Sequence, residues 1–346
     1  MHWGGKAGAV REKQRGLALG AAALLALAAA LYFLPRGAGR ETRRYEAVWY
    51  DLFDTVTTLR GYAAGEAAFE QEAGRIHDAL LEYHRLCDIY NDYPGLVNLK
   101  SVNDGAGGAP LRADPRLLDL LELCRSMYED SGGAVDVTMG AVLALWHTAR
   151  ENETPPDPAA LVEAAKHGGF AFLEMDAEAM TLRLTDAGAR LDVGAVAKGW
   201  AAARVMEHAP EGYLLSVGGN VCASGPKPGG AAWVVALENP DGGWLHTLEL
   251  TRGSVVTSGD YQRFFLGPDG TRYHHIIDPE TLQPARRWRA VSVLHPDSGV
   301  ADALSTALFV LDRPAGEALV ERRGGAALWV ALDGEEYRTE GFLTVS

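Results

Sequence analysis

The helix-like stretch ADALSTALFVL places Asp302 and Thr306 four residues apart, on one helical face. A carboxylate and a hydroxyl there offer hard oxygens, suited to Mg²⁺ rather than to a soft metal. The same spacing also suits a plainer use, with Asp302 favouring the helix N-terminus and Thr306 bonding back to a carbonyl. In Tyr273-His274-His275-Ile276-Ile277-Asp278 two imidazoles precede an apolar pair. If the run is extended, His275 and Ile277 share one face and His274, Ile276 and Asp278 the other. A histidine near neutrality can take a proton from a hydroxyl, although a solvated pair on an edge strand would look the same. Leu215 to Asn220 ends a strand in Gly218-Gly219, either a phosphate cradle of backbone N–H groups or a tight turn. Asp192 and Lys198 are charges in the otherwise apolar run LDVGAVAKG, so each must be paired or functional. A structural Asp192–Lys198 pair is the simpler of those two.

Several chemistries are excluded. There is no GxxxxGK[ST], no GxGxxG, no HExxH and no His-Asp-Ser order. Cys87, Cys124 and Cys222 form no CxxC and match no zinc spacing; they suit small buried hydrophobes. The 32 basic against 46 acidic residues give a net charge of −14, which argues against nucleic acid as the main partner.

The elements that must position these residues are runs of strands with separated helices. A strand-like run covers Glu46 to Leu59 and helical spacing covers Glu66 to Leu86. Residues 88–111 are rich in Asn, Asp and Gly and read as a loop. Pro115 to Tyr128 reads as a helix ended by Ser131-Gly132-Gly133. From Leu182 onward short apolar strands alternate with Gly-containing turns, interrupted by helical stretches at 196–208 and 299–312. There is no internal repeat. Strand runs with separated helices predict an α+β domain of mixed or antiparallel strands with packed helices.

The charge is uneven. Residues 1–44 carry a net +6, which leaves −20 for the rest. Gly16 to Pro35 is an uncharged run of 20 residues, ~30 Å as a helix, preceded by Lys6, Arg11, Lys13 and Arg15. The expectation is a cytoplasmic tail at 1–15, a transmembrane anchor or signal segment at 16–35, a linker at 36–44, and a domain at 45–346 facing away from the cytoplasm. A cleaved signal or a buried helix are the alternatives for 16–35. No Cys follows the apolar run, so a lipid anchor has no attachment point.

Taken in order, these segments resemble the ApbE family, the FAD:protein FMN transferases. FDT at 53–55, YNDY at 90–93 leading to Asn103, and GGAVDVTMGAVLALW at 132–146 carry the resemblance. So do LDVGAVAKG at 191–199, VGGN at 217–220, TSGDY at 257–261, HIIDP at 275–279 and ADALSTALFVL at 301–311. It implies that FAD is split at its pyrophosphate, AMP leaves, and FMN is joined through its phosphate to a Thr or Ser of a target protein. By similarity, Asp302, Thr306 and the carbonyl of Ala195 hold Mg²⁺, and His275 is the general base. Phe53, Tyr93, Asp136, Asp192, Lys198 and Ile276 line the FAD site, Phe53 standing where many members carry Met. The implied partner is a flavin-acceptor domain, in a redox-complex subunit or an extracellular flavoprotein. Two alternatives stay open: a Mg²⁺-dependent FAD pyrophosphatase giving FMN and AMP, and a flavin-binding carrier. The sequence departs from the family where RTGYPA usually follows HIIDP. Here ETLQPA puts Leu282 in the Gly place, so a Gly-specific turn is expected to be absent. GLVNLKS also replaces the commoner SELS-type run.

Overall fold

The computed structural model describes residues 42–345 other than residue 269. The tail, the apolar segment at 16–35 and most of the linker lie outside the described residues. Among the described residues no helix is long and apolar enough to cross a membrane.

The chain runs β1 (Arg43–Leu52), β2 (Thr55–Ala63), α1 (Glu66–Cys87), α2 (Leu99–Asp104), β3 (Leu111–Arg112), α3 (Pro115–Asp130), α4 (Gly140–Asn152) and α5 (Pro158–Ala165). It continues β4 (Leu173–Asp176), β5 (Thr181–Leu184), α6 (Ala197–Met206), β6 (Tyr213–Val217), β7 (Asn220–Ala223), β8 (Trp233–Glu238) and β9 (Trp244–Leu250). Last come β10 (Gly253–Gly259), β11 (Phe264–Leu266), β12 (Arg272–His274), β13 (Trp288–His295), α7 (Ser298–Val310), α8 (Arg313–Arg322), β14 (Ala326–Ala331) and β15 (Glu336–Arg338). The α+β expectation holds.

Eight strands form the main sheet in the order β1-β2-β6-β7-β10-β13-β14-β15. From β2 onward each neighbouring pair is antiparallel. Its central strands are buried on both faces, so they read as continuous apolar runs. Alternate residues go opposite ways: Val256, Val293 and Trp329 join the core that contains Leu304 and Leu308 of α7. Val255, Leu328 and Ala326 join Trp233, Leu237 and Leu248 of the separate β8–β9 ribbon. The result is three layers, with α1, α6 and α7 on the helical side.

Three expectations are corrected. The predicted strand from Glu46 to Leu59 is a hairpin, broken at Phe53-Asp54, whose φ values of 53° and 50° make a tight turn between β1 and β2. Such a turn prefers Asn-Gly or Asp-Gly, so Phe-Asp gave no turn signal. The loop at 88–111 contains α2, started by a reciprocal cap between Asn98 and Ser101. The helical stretch at 299–312 ends at Val310, and Asp312 caps a separate helix, α8. Helices α4 and α5 occupy residues for which the sequence reading gave no element.

Candidate active site

Helices α6 and α7 cross closely because of a glycine. A Cβ on Gly199 would lie 2.2 Å from the Ser298 carbonyl oxygen and 2.5 Å from the Asp302 Cβ. That closeness lets the Gly199 N–H donate to Asp302 Oδ2 at 2.8 Å. Asp302 is only 4% exposed, and burial pushes its pKa up. Lys198 and the Gly199 N–H oppose that rise. Asp302 therefore serves the start of α6, not that of its own helix, which Asp297 caps. Lys198 Nζ sits 3.1 Å from the Gly194 carbonyl oxygen and 3.9 Å from Asp302 Oδ2. The Asp192–Lys198 pair is not formed; Lys198 answers Asp302 instead.

The Gly199 N–H is also the donor that would close a helical turn on the Ala195 carbonyl. Because Asp302 takes it, the Ala195 carbonyl has no backbone partner among the described residues. Thr306, one turn after Asp302 and half-buried, makes no bond back to its helix there, whereas neighbouring Ser305 Oγ donates to the Asp302 carbonyl at 2.9 Å. One carboxylate, one carbonyl and one hydroxyl are thus left with oxygen to offer. Among the described residues no group of three or more His, Cys, Asp or Glu could hold a metal. The donor set fits a hard cation that keeps water or phosphate ligands, as Mg²⁺ does.

The two histidines part company. β12 ends at His274, so the expected alternation stops there: His275 is exposed, and Ile276 and Ile277 are both buried. His274 Nε2 donates to the Ala285 carbonyl at 2.6 Å and Nδ1 accepts the Ile276 N–H at 3.3 Å. Those bonds fix one neutral tautomer, and burial lowers the pKa accordingly. His275 is tied by its backbone N–H to the Arg263 carbonyl at 3.1 Å, and the residue stays exposed. Surrounding protein lowers the His275 pKa first by desolvation, then by the charges of Arg263 and Lys198. The exposure of the residue moderates the desolvation, and the charges of Arg263 and Lys198 act in the same direction. The direction is down, so the imidazole is neutral at pH 7.

The remaining expected FAD-site residues come from separate segments of the chain. Tyr93 Oη donates to Asp88 Oδ2 at 2.7 Å, and Arg85 covers the ring with its Cζ 5.4 Å from the centroid. Asp88 also accepts from the N–H groups of Tyr90 and Asn91. Phe53 is half-buried, edge-on to His84 at 5.4 Å, and its N–H donates to His84 Nδ1 at 3.1 Å. Asp136 Oδ1 accepts from the N–H and hydroxyl of Thr138, while burial raises its pKa. Ile276 is 5% exposed and packed in the main core, so most of its side chain is already covered. Asp192 Oδ1 accepts the Gly194 N–H at 2.9 Å. Asn103 grips Leu191 at both ends, donating to its carbonyl at 3.0 Å and accepting its N–H at 2.7 Å. Gly218 and Gly219, at φ 57° and 95°, form a tight turn between β6 and β7, the plainer of the two readings.

A small cleft lies beside His275, lined among others by Trp146, His147, Arg150 and Arg263. Sequence reading singled out none of these four. His147 and Arg150 share a face of α4, an element it left unassigned, and Arg263 lies between two motifs. The turn after His275 also differs from expectation. Leu282 adopts φ 58°, so the conformation expected only of glycine is present. Trp146 Nε1 donates to the Leu282 carbonyl at 3.0 Å and helps hold it.

Residues 53–329 match the family model described as ApbE family. The chain belongs to the ApbE family. An FAD:protein FMN transferase of Treponema pallidum is 39% identical over 234 residues, covering 62% of this chain and 64% of that protein. An FAD:protein FMN transferase of Klebsiella pneumoniae is 29% identical over 288 residues, covering 79% and 81%. The crystal structure of an ApbE protein from Thermotoga maritima superposes with a TM-score of 0.78 at 29% identity, covering 86% of this chain and 97% of that one. Flavin transferase ApbE of Vibrio cholerae gives 0.76 at 25% identity, covering 87% and 98%. The ApbE match spans all the site residues from Phe53 to Thr306, and the fold is ApbE-like.

Proposed function

We propose that this ApbE-family chain transfers FMN from FAD to a Ser or Thr hydroxyl of a target protein and releases AMP. One observation carries the reading. Lys198 lies 3.9 Å from Asp302 Oδ2, and its charge also acts on His275, so a carboxylate suited to a cation and a neutral imidazole belong to one site.

In this reading the hydroxyl oxygen forms a bond to the FMN phosphorus. The bond from that phosphorus to the AMP oxygen breaks, and the hydroxyl proton passes to His275. A lowered pKa keeps His275 unprotonated and able to accept that proton. Lys198 and Arg263 supply positive charge against the pyrophosphate. Asp302, Thr306 and the Ala195 carbonyl would hold Mg²⁺, which when bound neutralises pyrophosphate oxygens. Phe53, Tyr93, Asp136, Asp192 and Ile276 would border the flavin and its ribityl chain.

The acceptor would be a flavin-carrying domain of a redox-complex subunit or an extracellular flavoprotein. The basic tail and apolar segment of the sequence support a catalytic domain held outside the cytoplasm by an anchor at 16–35.

A mass spectrum tests the reaction. Wild type with FAD, Mg²⁺ and an acceptor domain gains one FMN on a Ser or Thr of the acceptor, and His275→Ala does not produce it. Free FMN and AMP with every tested acceptor unmodified would replace the transferase by a pyrophosphatase. Bound but intact FAD would point to a carrier.

A further inference from the structure

Three separate segments meet at His147. Tyr90 Oη lies 2.9 Å from His147 Nδ1, and His147 Nε2 lies 3.7 Å from Asp192 Oδ2, an ion-pair separation longer than a hydrogen bond. The pieces come from the segment after α1, from α4, and from the run before α6. We infer that His147, which lines the His275 cleft, is a positioning residue for FAD and fastens Tyr90 and Asp192 to that cleft's edge. The inference takes its ligand from the function proposed above.

The bond directions agree with one another. The tautomer that carries its proton on Nε2 points it at the Asp192 carboxylate and leaves Nδ1 to accept from the Tyr90 hydroxyl. Both outer residues need such a tether. Tyr90 is 59% exposed, so little packing holds its ring. Asp192 has one oxygen committed to the Gly194 N–H and the other turned to His147. His147 itself is well anchored. The preceding residue, Trp146, is buried and bonded to the Leu282 carbonyl, and the Asp192 N–H donates to the Val137 carbonyl at 2.8 Å. His147 also lines the cleft with His275 and Arg263. A fixed aromatic face and a fixed carboxylate suit a dinucleotide, which offers flat rings and O–H and N–H donors. The arrangement bonds neither to His275 nor to Asp302, so binding and not the chemical step should depend on it.

The test uses the full chain and measures the FAD dissociation constant by flavin fluorescence, together with KM and kcat for transfer. His147→Ala should weaken FAD binding and raise KM by about tenfold, with kcat within about twofold of wild type. His147→Asn keeps an amide near the Nδ1 position and His147→Gln near Nε2, so each should recover part of the affinity. Tyr90→Phe removes only an exposed hydroxyl; it should weaken binding about threefold in wild type and add nothing to His147→Ala. Unchanged affinity in His147→Ala would overturn the inference. So would fully additive effects of Tyr90→Phe and His147→Ala, or Asn and Gln variants as weak as Ala. If His147→Ala loses its fold, Tyr90→Phe decides alone. FAD binding that follows this pattern in a chain that labels no acceptor would sink the transferase reading and leave the role of His147 standing.

Discussion

The Asp302 carboxylate accepts the backbone N–H of Gly199 at 2.8 Å, joining the start of one helix to the first turns of another 103 residues later. This bond accounts for two features together: a buried charge, and an Ala195 carbonyl released from its helix. Asp302→Asn keeps an oxygen for the Gly199 N–H and removes the charge. Its thermal midpoint without divalent cations should be no lower than that of wild type, because a buried carboxylate is costly. Mg²⁺ at a hundredfold its dissociation constant should stabilise wild type by about 2.7 kcal/mol and leave the variant unmoved. FMN transfer should fall by about 10²-fold or more. A variant that still gains midpoint with Mg²⁺ would remove Asp302 from the cation site.

Asn103 makes a different prediction because both of its bonds are to backbone. Asn103→Ala leaves the N–H and C=O of Leu191 buried without partners, at a cost of about 1–3 kcal/mol each. Urea unfolding should show a loss of about 2–5 kcal/mol. Asn103→Asp still accepts the N–H but presents an oxygen to the carbonyl, so it should rescue little. A loss below about 1 kcal/mol in the Ala variant would mean that the Leu191 segment finds other partners.

Much of this was legible before the structure. Helical spacing placed Asp302 and Thr306 one turn apart, as they stand on α7, and apolar periodicity located α1, α3, α6 and most of α7. What was not legible has identifiable causes. The turn at Phe53-Asp54 uses residues that resist positive φ, so no turn chemistry announced it. The partner of Lys198 could not be known, because local spacing offered Asp192 while the α6–α7 crossing delivered Asp302 from 104 residues away. His147 joins the site through tertiary placement of a helix whose sequence looks like ordinary core. His274 and His275 are adjacent and alike in sequence, and only the end of β12 separates a buried structural histidine from an exposed one.

Leu282 offers a test of how that non-glycine turn is tolerated. A leucine at φ 58° costs about 1–2 kcal/mol in backbone strain. Its side chain packs partly against the cluster that contains Trp146, Phe265 and Ile277, which offsets some of that cost. Leu282→Gly relieves the strain and loses the packing, so stability should stay within about 1 kcal/mol of wild type. Transfer activity should survive. A loss above about 3 kcal/mol would show that the side chain, not the turn, is what this position supplies.

The lowered pKa of His275 has a sign that can be checked in two ways. Its folded pKa lies below the unfolded value of about 6.5. The folded protein therefore binds fewer protons at this site than the unfolded chain once pH falls below that value. The stability contributed by neutral His275 is present above about pH 6.5 and is lost as pH falls toward the folded pKa. Wild type should accordingly lose more stability than His275→Ala between pH 6.5 and 5. If His275 is the base, kcat/KM for transfer should show no acid limb near 6.5, because the ring is already unprotonated there. At pH 7 His275→Ala should lower kcat by about 10²–10⁴-fold and leave FAD affinity nearly unchanged. An acid limb at 6.5 that vanishes in His275→Ala would place its pKa at the ordinary value. An unchanged kcat in that variant would assign the proton to another group.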